Sequence, residues 1–235
     1  LTDTPASETD AKFSPGGRYV SFIRDANLHA IELSSGREIA ITQGGGGPVS
    51  YGVAEFIAQE EMSRNTGNWW SPDERYIAFT RVDESAVAEI ERFEVYADSL
   101  KVVKQRYPAT GARNADVQLY VTRIGKGPAV RVDLGANADI YLARVQWLPD
   151  SRAIAVQRQS RDQKTLTLLK ADAASGATRK LLEEHSDTWV DVCDELTFVS
   201  DRGDFLWGSS RSGFNHLYLH DADGQLQHAV TSGEW

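Results

Sequence analysis

The feature that most limits how this chain can fold is a turn that returns in step with its strands. Ser14-Pro15-Gly16-Gly17, Ser71-Pro72-Asp73-Glu74 and Leu148-Pro149-Asp150-Ser151 each separate two short apolar runs. Proline at the second turn position presets φ, and such a turn joins antiparallel neighbours into a hairpin. Two further strand-like runs follow each hairpin. The first unit takes 10–13, 18–23, 28–33 and 38–42; the second takes 68–70, 75–80, 117–123 and 129–132. The third takes 144–147, 152–157, 165–170 and 178–182; the fourth takes 195–199, 204–209, 216–220 and 226–231. Four-stranded units with a period of roughly 40 residues predict an all-β chain folded as a β-propeller, with a β-sandwich as the alternative. The two ends read as cuts through a larger ring, so the expectation is a partial propeller domain over 1–235.

Two stretches break the pattern. Residues 51–67 read as a short helix placed ahead of the second hairpin. Val53, Ala54, Phe56, Ile57 and Ala58 supply its apolar faces, Glu60 and Glu61 stand near its end, and Asn65-Thr66-Gly67 stops it. Residues 81–116 lie between the second and third strands of the same unit and read as a projecting insertion, either a loose loop or a docking arm.

With 235 residues, 41% apolar and 25% charged, the chain is ordinary for a globular protein. A net charge of −9 argues against nucleic acid or an anionic membrane as partner. No apolar run approaches the roughly 20 residues of a membrane span. Cys193 is the only cysteine, so no intrachain disulfide forms, and it has no arranged partner.

Several chemical motifs are dismissed on spacing. Gly44 to Gly47 lacks the lysine and the helix of a phosphate cradle. In Gly208-Ser209-Ser210-Arg211-Ser212-Gly213 the second glycine of a nucleophile elbow is missing. His216 and His220 sit four apart on a strand, about 13 Å, too far for one metal, and read as surface or edge residues. Trp69, Trp70 and Trp147 precede turns and read as core. No metal, no cofactor and no catalytic residue is expected in this chain.

The pair Glu60-Glu61 remains. Adjacent residues on a helix lie about 100° apart, so both carboxylates reach one cation. On a strand they would point to opposite faces. An amino terminus, with a pKa near 8, offers such a cation. The plain alternative is a solvated acidic face.

Three stretches resemble the propeller of dipeptidyl peptidase IV and its bacterial relatives in the prolyl oligopeptidase family. Glu60-Glu61-Met62 ahead of Trp69-Trp70-Ser71-Pro72 is similar to the family's double-glutamate helix and W-W-S-P hairpin. Tyr107-Pro108-Ala109-Thr110-Gly111-Ala112-Arg113-Asn114 resembles the segment after its projecting arm. Ser212-Gly213-Phe214-Asn215-His216-Leu217-Tyr218 and Thr231-Ser232-Gly233-Glu234-Trp235 resemble its late-propeller hairpin and exit.

The resemblance implies an eight-bladed propeller followed by an α/β-hydrolase domain that carries the serine, aspartate and histidine and lies outside this chain. The parent would be a serine exopeptidase that releases Xaa-Pro or Xaa-Ala dipeptides from peptides with a free amino terminus. Glu60 and Glu61 would anchor the substrate's ammonium, and the fragment alone would be inactive. The arginine that assists the glutamates would precede Leu1. Near Trp189-Val190 the mammalian enzyme carries a Phe-Arg pair facing the substrate, and Asp191-Val192-Cys193-Asp194 departs from it. The insertion 81–116 would mediate a homodimer. A periplasmic location is favoured over a cytoplasmic one. A tripeptidyl or acylaminoacyl peptidase, or a non-catalytic protein-binding propeller, are the alternatives.

Overall fold

A computed structural model describes residues 2–235. The first sheet holds β1 (Glu8–Phe13), β2 (Tyr19–Arg24), β3 (Asn27–Glu32) and β4 (Arg37–Ala40). There follow β5 (Val49–Tyr51), helix α1 (Phe56–Glu60), β6 (Asn68–Trp70), β7 (Tyr76–Asp83), β8 (Glu89–Val95), β9 (Leu100–Arg106), β10 (Asp116–Arg123) and β11 (Lys126–Arg131). The third sheet holds β12 (Ile140–Trp147), β13 (Ala153–Ser160), β14 (Thr165–Asp172) and β15 (Thr178–His185). The fourth holds β16 (Thr197–Phe198), β17 (Phe205–Ser209), β18 (His216–His220) and β19 (Leu226–Ala229).

The first, third and fourth sheets run in sequence order, and the second in the order β11-β10-β7-β5 with β6 also on β7. These are four successive blades of a β-propeller, and they do not close into a ring. The turns that join their first two strands share one geometry. Gly17, Glu74, Ser151 and Gly203 each donate N–H to the carbonyl three residues earlier, at 2.9–3.0 Å. All four take positive φ, which completes a type I turn plus left-handed residue. Glu74 and Ser151 adopt it without being glycine.

The core lies between sheets. Tyr19, Ile23 and Leu28 meet Trp70, Ile77 and Phe79 across the first and second blades. Leu119 and Val121 meet Trp147 and Ile154 across the second and third. Leu166 and Leu168 meet Phe205 and Trp207 across the third and fourth. Burying each such side chain contributes about 1.5–3 kcal/mol. The indoles also tie each blade to the one before. Trp70 Nε1 donates to Ser21 Oγ at 3.0 Å, Trp147 Nε1 to the Trp69 carbonyl at 2.9 Å, and Trp207 Nε1 to Glu184 at 3.2 Å. Trp70 and Trp147 are therefore core, as expected, and Trp69 packs half-buried against the same cluster.

His216 and His220 are buried, not surface residues. His216 Nε2 donates to the Gly233 carbonyl and His220 Nδ1 to that of Gly224, both at 2.9 Å. His220 stacks on Phe205 as His29 stacks on Phe22 in the first blade, so it is a repeated packing feature. Burial pushes the Cys193 thiol up to about 12, which leaves it unreactive.

Candidate functional site

The second blade builds the site by splitting its innermost strand. β5 and β6 lie on the same edge of β7, with Tyr51 opposite Arg81 and Asn68 opposite Phe79. Only Thr80 lies between these partners. Gly52 N–H donates to the Thr80 carbonyl at 2.8 Å, and Thr80 N–H to the Gly67 carbonyl at 2.8 Å. The chain thus leaves the ladder after Gly52 and re-enters at Gly67. A side chain at Gly67 would come 2.2 Å from the Val53 carbonyl, so glycine lets the two ends of the excursion meet.

Within the excursion the helix is shorter than the sequence predicts. It covers Phe56–Glu60, with Glu61 as its C-cap. The ends of the predicted helix have other partners. Gly52 and Val53 stay bonded to Thr80, Ser63 takes φ 52°, and Arg64 is drawn to the next blade. A five-residue helix does not hold itself in water. Tertiary contacts hold this one. Met62 packs with Tyr141 and Ala143 of β12, joined by Ile57 and Val192.

Two residues not singled out in the sequence anchor the excursion. Glu55 and Arg64 form an ion pair at 2.7 Å with side chains 6% and 3% exposed. Arg64 also donates to the carbonyls of Thr66 at 2.8 Å and Leu142 at 3.1 Å. On the side of the first blade, Asp10 Oδ2 accepts from Thr66 Oγ1 at 2.8 Å and Asn68 Nδ2 at 2.9 Å. Asp10 reaches them from a bulge in β1, at φ 51°.

Glu60 and Glu61 emerge exposed at the end of α1. Glu61 lines an open cleft of 580 Å³ beside Ser63, Tyr141, Arg144, Arg161, Trp189 and Asp191. The cleft's two arginines are paired with other carboxylates. Arg144 pairs with Asp194 at 2.7 Å and Arg161 with Asp139 at 2.9 Å. Neither neutralises Glu61, so the rim keeps an acidic group open to a cation. Trp189 is 62% exposed and faces the same cleft. Its loop is held from β13: Gln159 Nε2 donates to the Val190 carbonyl at 2.6 Å, and Gln157 Nε2 to that of Cys193 at 2.6 Å. In the fourth blade β16 covers only two residues, Thr197 and Phe198, where the sequence predicts a strand over 195–199.

Of the predicted insertion 81–116, residues 81–83 complete β7 and Asp116 opens β10, and between them stands an ordered hairpin of β8 and β9 that pairs with no blade. Its root rests on the excursion. Tyr107 meets Phe56 edge to face with centroids 5.1 Å apart, and Arg106 donates to the Val87 carbonyl at 2.7 Å. Burial at this root pushes the Glu84 carboxyl above its ordinary range, against the pull of Arg106.

Residues 1–235 match the family described as "Dipeptidyl peptidase IV (DPP IV) N-terminal region". The chain belongs to the dipeptidyl peptidase IV N-terminal region family. It is 29% identical to "Probable dipeptidyl-aminopeptidase B" of Phaeosphaeria nodorum, over 96% of this chain and 28% of that protein. It is 25% identical to "Dipeptidyl peptidase 4" of Arthroderma otae, over 96% of this chain and 31% of that protein. The crystal structure of Porphyromonas gingivalis dipeptidyl peptidase 4 superposes with a TM-score of 0.91 at 28% identity, covering 100% of this chain and 34% of that one. The chain spans about a third of the length of these dipeptidyl peptidase relatives.

The dipeptidyl peptidase fold thus places Glu61 and Trp189, distant in sequence, on one cleft. Glu60 stands exposed beside it as the last helical residue. The signal for Arg64 in this family member is weak, since two of its three partners, Thr66 and Leu142, are backbone carbonyls that no side-chain pattern announces.

Proposed function

We propose that this chain is the part of a serine exopeptidase that anchors the substrate's amino terminus and gates access to the reaction. The parent releases dipeptides, Xaa-Pro or Xaa-Ala, from peptide amino termini. The observation that carries the reading is the adjacent Glu60 and Glu61 at the end of a helix extruded from an inner strand, with Glu61 on a cleft whose arginines are already paired. Two carboxylates around one ammonium form charge-assisted hydrogen bonds at fixed geometry. That fixes how much peptide fits between anchor and nucleophile, so the propeller measures the product. The serine, histidine and aspartate are assigned to the remainder of the parent, and this chain alone is inactive. The relatives' names support the peptidase activity.

The parent is also proposed to dimerise through the β8–β9 arm. Phe93 lies opposite Val102 and Val95 opposite Leu100, so these four exposed side chains share one face at the arm's tip. An exposed apolar patch of this kind marks an interaction surface.

The reading is tested on the parent enzyme with one peptide in two forms, free and N-acetylated. Cleavage of the free peptide alone, releasing its first two residues, is expected. Release of three residues would favour the tripeptidyl alternative, and equal cleavage of the acetylated form would overturn the anchoring role.

A further inference from the structure

We infer that the buried Glu55–Arg64 pair is a positioning element, which sets where the Glu60-Glu61 carboxylates stand over the cleft. The inference rests on the anchoring role proposed above. Glu55 precedes α1, and Arg64 follows Glu61 by three residues. One guanidinium therefore joins both ends of the segment that carries the acidic pair. Its three bonds run to different places: the Glu55 carboxylate, the Thr66 carbonyl where the chain returns, and the Leu142 carbonyl of β12. Leu142 sits next to Tyr141, which lines the cleft. Arg64 thus references the acidic pair to the strand that supplies Tyr141 to the cleft, across a blade boundary.

The other features around the pair hold it less firmly. The helix has five residues, no side-chain cap and only Ala58 buried. Ser63 turns the chain at φ 52° between Glu61 and Arg64, and Met62 packs on β12 beside them, but only Arg64 ties both ends of the segment together. A rigid fork with donors in fixed directions suits this task, and a lysine's single ammonium on a flexible stem does not. The positive charge of Arg64 is matched by Glu55, which leaves Glu60 and Glu61 for a ligand. If the pair served stability alone, a packed apolar pair would do as well.

The test uses the parent enzyme with Arg64→Lys, Glu55→Gln and Glu61→Gln, and Arg64→Lys combined with Glu61→Gln. The readouts are KM and kcat on a free-amine dipeptide substrate, and the labelling rate with a fluorophosphonate, which needs the nucleophile but no ammonium site. Arg64→Lys is expected to raise KM about tenfold through misplacement of the carboxylates, with labelling unchanged. In the Glu61→Gln background the same change should add little, because the group it positions is gone. Glu55→Gln keeps shape and one hydrogen bond, and should show the same pattern more weakly if Arg64→Lys fails to fold. An Arg64→Lys enzyme with wild-type KM, a KM effect that multiplies with that of Glu61→Gln, or labelling that falls in parallel would each overturn the inference. If Glu61→Gln itself leaves KM unchanged, the anchoring reading fails instead.

Discussion

Thr80 donates its hydroxyl to the Val53 carbonyl at 2.6 Å, at the point where the inner strand of the second blade is interrupted. Its side chain is fully buried. Its backbone holds Gly52 on one side and Gly67 on the other, so a single residue closes the base of the excursion. Thr80→Val keeps the shape and leaves the Val53 carbonyl without this partner. The expected loss is about 1–3 kcal/mol, read as a lower urea midpoint with an unchanged slope. Thr80→Ser retains the hydroxyl and should lose less.

The clamp between the first two blades responds to acid. Glu74 is buried, which pushes its carboxyl up, but hydrogen bonds from Ser14 Oγ and the backbone N–H groups of Arg18 and Gly16 outweigh this and hold it below the ordinary carboxylate range. A carboxylate whose folded pKa is depressed stabilises the fold above its unfolded pKa, and the gain is lost as pH falls through the folded value. Unfolding free energy should therefore drop below about pH 4.5, and Glu74→Gln should flatten that limb. Equal acid slopes in the two proteins would rule out this role for Glu74.

The arm gives a separable outcome. Phe93→Glu or Val102→Glu introduces charge on its exposed face without touching a blade, since β8 and β9 pair only with each other. On the proposed arm-mediated association, sedimentation should show a dimer for the unchanged parent and a monomer for either variant. A dimer that survives both changes would place the interface elsewhere.

The blades were legible because their turns are local: Ser71-Pro72 and Leu148-Pro149 state their geometry within four residues. The adjacency of Glu60 and Glu61 at a helix end is local in the same way. What escaped was non-local. Val49–Tyr51 forms a strand only because β7 runs past β6 and offers three further residues for pairing. Arg64 finds Leu142, 78 positions away, and Gln157 finds Cys193, 36 away. The helix came out shorter because sequence shows apolar faces but not the rival bonds to Thr80 and β12 that end it. The two histidines read as surface residues because burial of an imidazole depends on carbonyls, Gly224 and Gly233, that carry no sequence signal.

The central claim is that two adjacent carboxylates recognise a free amino terminus. The most direct measurement is kcat/KM of the parent with Glu60→Gln and with Glu61→Gln, on a dipeptide substrate with a free amine. Losing a charge-assisted bond to the ammonium costs about 1.5–3 kcal/mol, so each change should lower kcat/KM roughly 10- to 150-fold while fluorophosphonate labelling stays at the wild-type rate. Wild-type kcat/KM in both variants would contradict the account and return the pair to a solvated helix end.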